Sequence, residues 1–284
     1  ALAMLDTASG HTRFDEELRA GRAAAEQAEA AAAEAGHAPL QAEAALAQGR
    51  LLLEAGERGE AERSLALAME RAEASGDALA RLRARIYQVY VLGSDRDRTD
   101  EAVRLGEQSL ALLDGLGPRP LLRARLLGNL ATAVARARRS DHERALALHH
   151  EAIELLRHEL GDHHPYLVSA RLNLGRALAY AKKPAESEVE LRAALERARE
   201  VWGDDHPHTA RILGTLGLTL VSLHRTAEAE DALRRSLAAR ERSLGPDHQE
   251  VASALFNLGT MLRGAGRHAE AIDLLRRGLA IRRR

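Results

Sequence analysis

Apolar side chains recur every three or four positions along the C-terminal half of the chain. Val251, Leu255, Leu258 and Leu262 are separated by four, three and four residues, which is the period of an amphipathic α-helix and not the alternation of a β-strand. After the turn residues 264–267, the same spacing returns in residues 271–279. The pattern therefore predicts a hairpin of two helices, each with one apolar face.

A turn of similar sequence recurs at a fixed interval. Its three copies begin at Gly161, Gly203 and Gly245, each 42 residues after the one before. The residues between the turns keep the same register, because a Leu-Gly pair occurs at 174–175, 216–217 and 258–259. A fixed period of this length is typical of a repeat architecture.

The recurring turn carries residues that end one helix and begin the next. Pro165 and Pro207 stand where the following helix should begin, a position that suits proline because the first N–H groups of a helix have no intrahelical partner. The glycine that opens each turn can adopt the left-handed conformation that ends a helix.

Towards the N-terminus the repeat persists but diverges. We expect three to four well-formed repeats of 42–44 residues in 117–284 and two divergent repeats in 37–116. Residues 1–36 predict an N-terminal helix or half repeat. A single hairpin cannot bury its own apolar face, whereas stacked hairpins share one core through contacts between neighbours. The predicted fold class is therefore all-α, a right-handed superhelix (α-solenoid) of stacked antiparallel hairpins.

The amino-acid composition argues against several classes of protein function. The chain is 45% hydrophobic but only 2% aromatic, and 41 Lys and Arg balance 42 Asp and Glu. A net charge of -1 argues against a basic nucleic-acid binder. The absence of cysteine excludes disulfides, thiol nucleophiles and thiolate zinc sites. No apolar run approaches the ~18 residues of a membrane helix, and the first residues do not form a signal peptide. We expect a soluble, cytoplasmic protein.

Small residues mark the contacts between helices. They are Gly175, Gly217, Gly259, Ala229 and Ala271, and we expect them to let helices approach near the short end of the ~8–10 Å range of axial distances. A large side chain in place of Ala229 should cost ~1–3 kcal/mol by overpacking.

These features together resemble the tetratricopeptide repeat family. The Leu-Gly pair in the first helix, a small residue in the second and a glycine break between them carry the resemblance, and the 42-residue period with its Gly-x-x-His-Pro turn resembles the kinesin-light-chain subtype. The chain departs from the family in having few aromatic residues and in having Gln249 where proline is expected.

A narrower resemblance concerns residues 35–40 followed by 43–56. They resemble the repeat region C-terminal to the catalytic domain of bacterial serine/threonine protein kinases, and regulators with a nucleotide-binding switch domain carry similar arrays. The sequence begins at Ala1 without methionine and ends in Arg282, Arg283 and Arg284. We therefore expect a piece of a longer polypeptide, with any catalytic domain upstream.

The resemblance also implies a binding surface, because first-helix residues line the inner, concave face in this family. The matching positions are Arg125, Asn129, Thr132 and Arg136, then Ser169, Asn173, Arg176 and Tyr180, then Arg211, Thr215 and Ser222, and finally Ser253, Asn257 and Thr260. A side-chain amide can both donate to and accept from a peptide backbone, and arginine can bind a carboxylate through two parallel hydrogen bonds. The hypothesis is a groove that favours an acidic or C-terminal peptide. The alternative is that these are ordinary solvated positions, with the asparagines capping or bridging helices.

Thirteen histidines raise the question of a metal site. The best candidates are His163, His164, His206 and His248, together with His142, His149 and His150. The turn histidines occur once per repeat, so stacking should keep them apart, whereas zinc ligands must converge at ~2.0–2.1 Å from one ion. We predict that they tie each turn to the next helix and that the chain binds no metal. Trp202 aligns with Leu160 and Leu244 and is expected to fill the core.

No catalytic signature occurs in the sequence: it lacks a phosphate-binding loop, a nucleophile elbow and a zinc-protease motif. The prediction is a non-catalytic scaffold without a cofactor that binds a protein or peptide in its groove. The alternative is a regulatory or self-association arm of a bacterial kinase or switch NTPase.

Overall fold

The computed structural model describes residues 11–54, 57–137 and 141–283, with side chains from residue 20 onward except that of Glu54. Those residues form thirteen α-helices and no strand. The helices are α1 (His11–Glu34), α2 (Ala38–Glu54), α3 (Arg58–Ser75), α4 (Ala78–Ser94), α5 (Thr99–Gly115), α6 (Pro120–Arg136), α7 (His142–Leu160), α8 (Pro165–Tyr180), α9 (Pro184–Trp202), α10 (Pro207–Ser222), α11 (Thr226–Leu244), α12 (Gln249–Gly264) and α13 (His268–Arg282). The predicted all-α class is confirmed.

The helices fall into two compact units. The first contains residues Asp15–Asp162 and the second His163–Arg284. Within each unit an even-numbered first helix pairs with the odd-numbered second helix that follows it, as α8 does with α9, and each second helix contacts the next first helix. Successive first helices also touch, as α4 does with α6 and α10 with α12. Every hairpin thus contacts its neighbours in the unit, which is the arrangement of an α-solenoid. No described helix is long and apolar enough to cross a membrane.

The close contacts between paired helices depend on residues without large side chains. A Cβ atom built on Gly175, Gly217 or Gly259 would lie 2.7, 2.6 or 2.9 Å from the Cγ atom of a leucine on the paired second helix. The second helices in turn present a fully buried small residue to this contact, including Ser187, Ala229 and Ala271. The predicted small-residue contacts are confirmed, because helices can approach this closely only where no side chain separates them.

Histidines cap the three first helices of the second unit. Nδ1 of His164, His206 and His248 accepts a hydrogen bond from the backbone N–H two residues on, at 3.2, 3.2 and 3.1 Å. Each bond satisfies a donor that the first helical turn leaves free. The prediction that the turn histidines tie the turn to the next helix is confirmed for these three residues. Helices α8 and α10 begin at Pro165 and Pro207, as expected.

The glycines of these turns differ from the expectation in one respect. Gly161, Gly203 and Gly245 have φ of 78°, 83° and 82°, which is positive as predicted, but their ψ is 165°, 175° and 157°. They therefore occupy the extended region at positive φ that is open to glycine and not the left-handed helical region. The extended conformation leads the chain away from the helix end towards the histidine cap.

Ion pairs join successive second helices on the solvated side. Arg225, the residue before α11, lies 2.7 Å from Glu188 of α9 and 2.6 Å from Glu228 of α11. Its hydrogen bonds, first to Glu228 and then to Glu188, raise the pKa of the guanidinium. Arg267 repeats both contacts one hairpin later, with Glu230 and Glu270. Because exposed ion pairs are screened by water, they contribute little to stability compared with the apolar core.

Candidate binding surface

The first helices carry the predicted groove positions in both units. Those on α6 lie in the first unit, whereas those on α8, α10 and α12 lie in the second. Within one helix the positions are separated by three, four or seven residues, so they share a face. The two units differ in what these side chains contact.

On α6 the predicted groove residues bind the preceding first helix, α4. Asn129 Nδ2 donates to the carbonyl oxygen of Ile86 at 2.8 Å, and Arg136 Nη2 donates to that of Ser94 at 3.0 Å. Arg125 donates to the Tyr87 hydroxyl. The bond of Asn129 is of the kind that the alternative interpretation, an asparagine bridging adjacent helices, describes. Thr132 bonds to a carbonyl of its own helix, that of Gly128, at 3.0 Å.

In the second unit, the two asparagines at the repeat position of Asn129 are available to bind a ligand. Asn173 on α8 and Asn257 on α12 are half-buried, and neither amide has a hydrogen bond to another described residue. Thr215 holds the equivalent position on α10 and bonds to the Arg211 carbonyl at 3.0 Å. Ser253 on α12 likewise bonds to a carbonyl of its own helix, that of Gln249. The first-helix face of this unit therefore presents two amides able to bind a peptide backbone.

Exposed apolar side chains lie on the same face of the first helices as these amides. Tyr180 and Leu218 are 44% and 43% exposed, and they lie seven residues after Asn173 and three residues after Thr215, respectively. These spacings place both on the face that carries the amides. Arg176, at the position equivalent to Leu218, is half-buried and has no ion pair with a described residue. The face thus combines free amides, apolar area and positive charge. We name it the amide face and define it by Asn173, Arg176, Tyr180, Thr215, Leu218 and Asn257.

A pocket in the first unit was missed by the sequence analysis. It has a volume of about 120 Å³, and its lining comes entirely from first helices: Glu43, Leu46 and Arg50 of α2, Arg83, Ile86 and Tyr87 of α4, and Leu122 and Arg125 of α6. Of these eight residues, only Arg125 is among the groove positions predicted from the sequence. The repeats that contain α2 and α4 diverge from the 42-residue pattern, so register alone could not align the other positions. The only sign of the pocket in the sequence was the combination of Arg50, Tyr87 and Arg125 on three successive first helices.

Aromatic rings stack at the turn before α10. The Trp202 ring lies 5.3 Å from that of His206 and 5.1 Å from that of His208, with interplanar angles of 17° and 28°. Trp202 also packs against the core of the second unit, as its repeat position predicted. Burial, the adjacent Arg211 and then His206 lower the pKa of His208 well below the ordinary value. Arg240, buried on α11, donates to the Glu250 carbonyl at 3.0 Å.

The candidate metal ligands do not converge. Among the described residues, no group of three or more His, Asp or Glu side chains could hold an ion. His149 is 2% exposed, whereas its neighbour His150 is on the solvated side of α7, as adjacent positions on a helix require. The three capping histidines are each occupied at the start of a different helix.

Solved structures share this architecture at low sequence identity. BtubC (BKLC) from P. vanneervenii superposes with a TM-score of 0.55 at 19% identity, covering 93% of this chain and 91% of its own. A putative kinesin light chain of Podosopora anserina with nearly identical TPR-like repeats gives 0.58 at 20%, covering 71% and 94%. NprR, solved with its cognate peptide NprX, gives 0.63 at 14%, covering 83% and 65%. At these identities the likeness shows the fold alone.

The sequence itself matches a family model. The tetratricopeptide repeat model matches residues 133–200, 180–242 and 222–284, and together these matches extend over more than half of the chain. Among curated proteins, none matches the sequence. The family match agrees with the paired helices, the small-residue contacts and the packing of hairpins within each unit described above. The chain belongs to the tetratricopeptide repeat family.

Proposed function

We propose that this protein is a scaffold that binds an extended segment of a partner protein on the amide face of its second unit. The single observation that carries the proposal is the pair of free amides, Asn173 and Asn257, at the same repeat position on α8 and α12. An extended peptide exposes backbone donors and acceptors that such amides can bind. Because the helices that hold them are packed in place, the surface loses little conformational entropy on binding.

Two further observations support the proposal. The structurally similar protein NprR has been solved with a cognate peptide, which shows that a fold of this kind can hold one. The amide face also carries apolar area at Tyr180 and Leu218, and aromatic anchors commonly supply much of the energy of such interfaces.

The charge of the face favours an acidic peptide. Arg176 lies on it without an ion-pair partner among the described residues, and no acidic residue occupies the equivalent positions, which hold Leu218 and Thr260. Charge complementarity raises the association rate and disfavours partners of like charge. We therefore propose an acidic or C-terminal peptide as the preferred ligand.

Fluorescence anisotropy with labelled acidic and basic peptide libraries tests the proposal. Acidic peptides should bind, and the double variant Asn173→Ala/Asn257→Ala should weaken binding about tenfold or more, since two hydrogen bonds of ~1 kcal/mol are lost. The matched control is Glu196→Ala on α9, an exposed residue of a second helix, which should leave binding unchanged. Absence of binding to both libraries would refute the scaffold function, and equal binding to both would refute the charge preference.

The alternative, a regulatory or self-association arm of a kinase or switch NTPase, stays a prediction. Light scattering of the chain tests its self-association part, for which a dimer at micromolar concentration is the expected result. A monomer at all concentrations would contradict it.

A further inference from the structure

Helix α13 has apolar side chains that no other described helix covers. Each earlier second helix of the second unit contacts the first helix that follows it, as α9 does with α10 and α11 with α12. Leu195 and Leu237 pack in those contacts and are 6% and 9% exposed, whereas Leu279, the equivalent residue of α13, is 43% exposed. Ile272, seven residues earlier on the same side of the helix, is 47% exposed. We name this surface the α13 face and define it by Ile272, Arg276 and Leu279.

The sequence of α13 differs from α9 and α11 at the position that joins one second helix to the next. Glu188 and Glu230 hold this position in the two earlier helices, and each forms an ion pair with the arginine before the following second helix. Ile272 replaces them in α13, so an arginine of that kind would find no acceptor there. The α13 face is therefore suited to an apolar contact and not to the charged contact of the earlier hairpins.

The same replacement leaves a charge unpaired. Arg192 and Arg234, the equivalents of Arg276, each form an ion pair with the glutamate four residues before them, at 2.7 and 2.8 Å. In α13 that position is Ile272, and Arg276 has no ion pair with another described residue. Asp273, three residues before Arg276, is also exposed and unpaired among the described residues. The α13 face thus combines an apolar stripe with one acid and one base that are free to pair.

The uncovered apolar area is confined to one helix. A hairpin added to this unit would also contact the last first helix, α12, as α12 itself contacts α10. However, α12 is described throughout and exposes no large apolar side chain. Its Phe256 is covered by Arg282, whose Cζ atom lies 4.3 Å from the centroid of the ring. The α13 face therefore fits one helix packed alongside α13 and not a further hairpin.

We propose that this helix is α13 of a second copy of the chain, packed in the antiparallel orientation. A two-fold axis through the middle of the pair places Ile272 of each copy against Leu279 of the partner subunit, so the two apolar residues cover each other twice. It also places Asp273 and Arg276 opposite the same flank of the other helix, where each carboxylate can pair with the guanidinium of the other copy. The charges of the α13 face are thus complementary to themselves. The proposal goes beyond the scaffold function, because the amide face lies on first helices and α13 is a second helix.

Sedimentation equilibrium of the full chain measures the association, and a monomer–dimer equilibrium at micromolar concentration is the expected result. Ile272→Glu restores the acid of the two earlier helices and gives Arg276 a partner within its own helix, so the chain should fold, but a charge would then face Leu279 of the partner subunit. About a tenfold loss at each of the two symmetric contacts should weaken dimerisation about 100-fold. Val189→Glu is the matched control, because Val189 is an apolar residue of α9 that is 66% exposed. This control should leave the dimer unchanged.

Charge reversal tests the antiparallel orientation. Asp273→Arg leaves two positive charges on the flank and Arg276→Asp leaves two negative ones, so each variant alone should dimerise about tenfold more weakly. An equimolar mixture of the two variants should form a heterodimer at least as tight as the unaltered dimer, since each acid of one chain then faces a base of the other. An ion pair formed within a single helix cannot produce this result.

Three results would overturn the proposal. They are a chain that stays monomeric up to its solubility limit, a dimer that Ile272→Glu leaves intact, and a mixture of the two reversed chains that contains no heterodimer. A monomeric chain that uses the α13 face to bind a different protein would overturn it as well, because the occupant would then not be a second copy. Ile272→Glu should leave peptide binding to the amide face unchanged, so failure of the dimer and failure of the scaffold function are separate outcomes.

Discussion

Replacement of Gly217 by alanine tests the energy of the close contact between α10 and α11 in the second unit. The new Cβ atom would lie 2.6 Å from Leu233 Cγ, 2.9 Å from Leu233 Cδ2 and 3.3 Å from the Ala229 carbonyl oxygen. Leu233 is 1% exposed, and its Cγ atom is the branch point of the side chain and not its flexible end, so the contact cannot be relieved cheaply. Relief of the contact requires α10 and α11 to move apart.

The magnitude follows from two opposing effects. Forced expansion of a packed core costs ~1–3 kcal/mol, and the backbone contact at Ala229 favours the upper half of that range. Alanine stabilises a helix interior by ~1 kcal/mol relative to glycine. Gly217→Ala should therefore lower the free energy of unfolding by about 1–2 kcal/mol. Gly128→Ala on α6 is the matched control, because a Cβ atom built there has no atom within 4 Å apart from the backbone of its own helix. This variant should raise the free energy of unfolding by ~0.5–1 kcal/mol.

Urea denaturation followed by far-UV circular dichroism measures both variants. Helical repeats can unfold in stages, so hydrogen exchange of amides in α10 and α11 supplies the local free energy. The double variant Gly217→Ala/Leu233→Ala should lose less stability than the sum of its single changes, since the second truncation makes room for the first. If Gly217→Ala were as stable as Gly128→Ala, the close approach of the two helices would not be a source of strain, and the reasoning would fail.

Two other predictions concern the same unit. Ala229 is fully buried, so Ala229→Leu should lower the melting temperature by overpacking at a cost of ~1–3 kcal/mol, and an unchanged melting curve would contradict the small-residue contact. Burial and Arg211 lower the pKa of His208 in the folded chain, so folding opposes protonation of this histidine. The free energy of unfolding should therefore fall as the pH drops below ~6.5, the pKa of a histidine in the unfolded chain. The equivalent position one repeat earlier is Tyr166, so the test variant is His208→Tyr. It should flatten the dependence of the melting temperature on pH between 7.5 and 5.5. Equal slopes in the variant and the unaltered chain would refute the assignment of this pH dependence to His208.

Local chemistry explains why the sequence predicted so much of the fold. The 42-residue register aligns Gly175, Gly217 and Gly259, and each of them lies against a leucine of the paired helix. The turn histidines were correctly assigned to the start of the next helix. These features depend on residues close in the chain or one helix away, so a repeated pattern reveals them. The ψ angles of Gly161, Gly203 and Gly245 were less predictable, because they depend on how the following cap is reached.

The binding surfaces depended on contacts between repeats, which spacing does not specify. Asn129 and Asn173 occupy one repeat position, yet the first bonds to the Ile86 carbonyl while the second has no such bond among the described residues. The pocket is assembled from α2, α4 and α6, whose residues are about forty positions apart in a part of the chain where the register drifts. The sequence by itself determined the helices, their pairing and the small-residue contacts, because these follow from periodicity and side-chain size. Only the tertiary structure decided which polar groups stay free for a ligand, since that depends on whether a neighbouring helix already satisfies them.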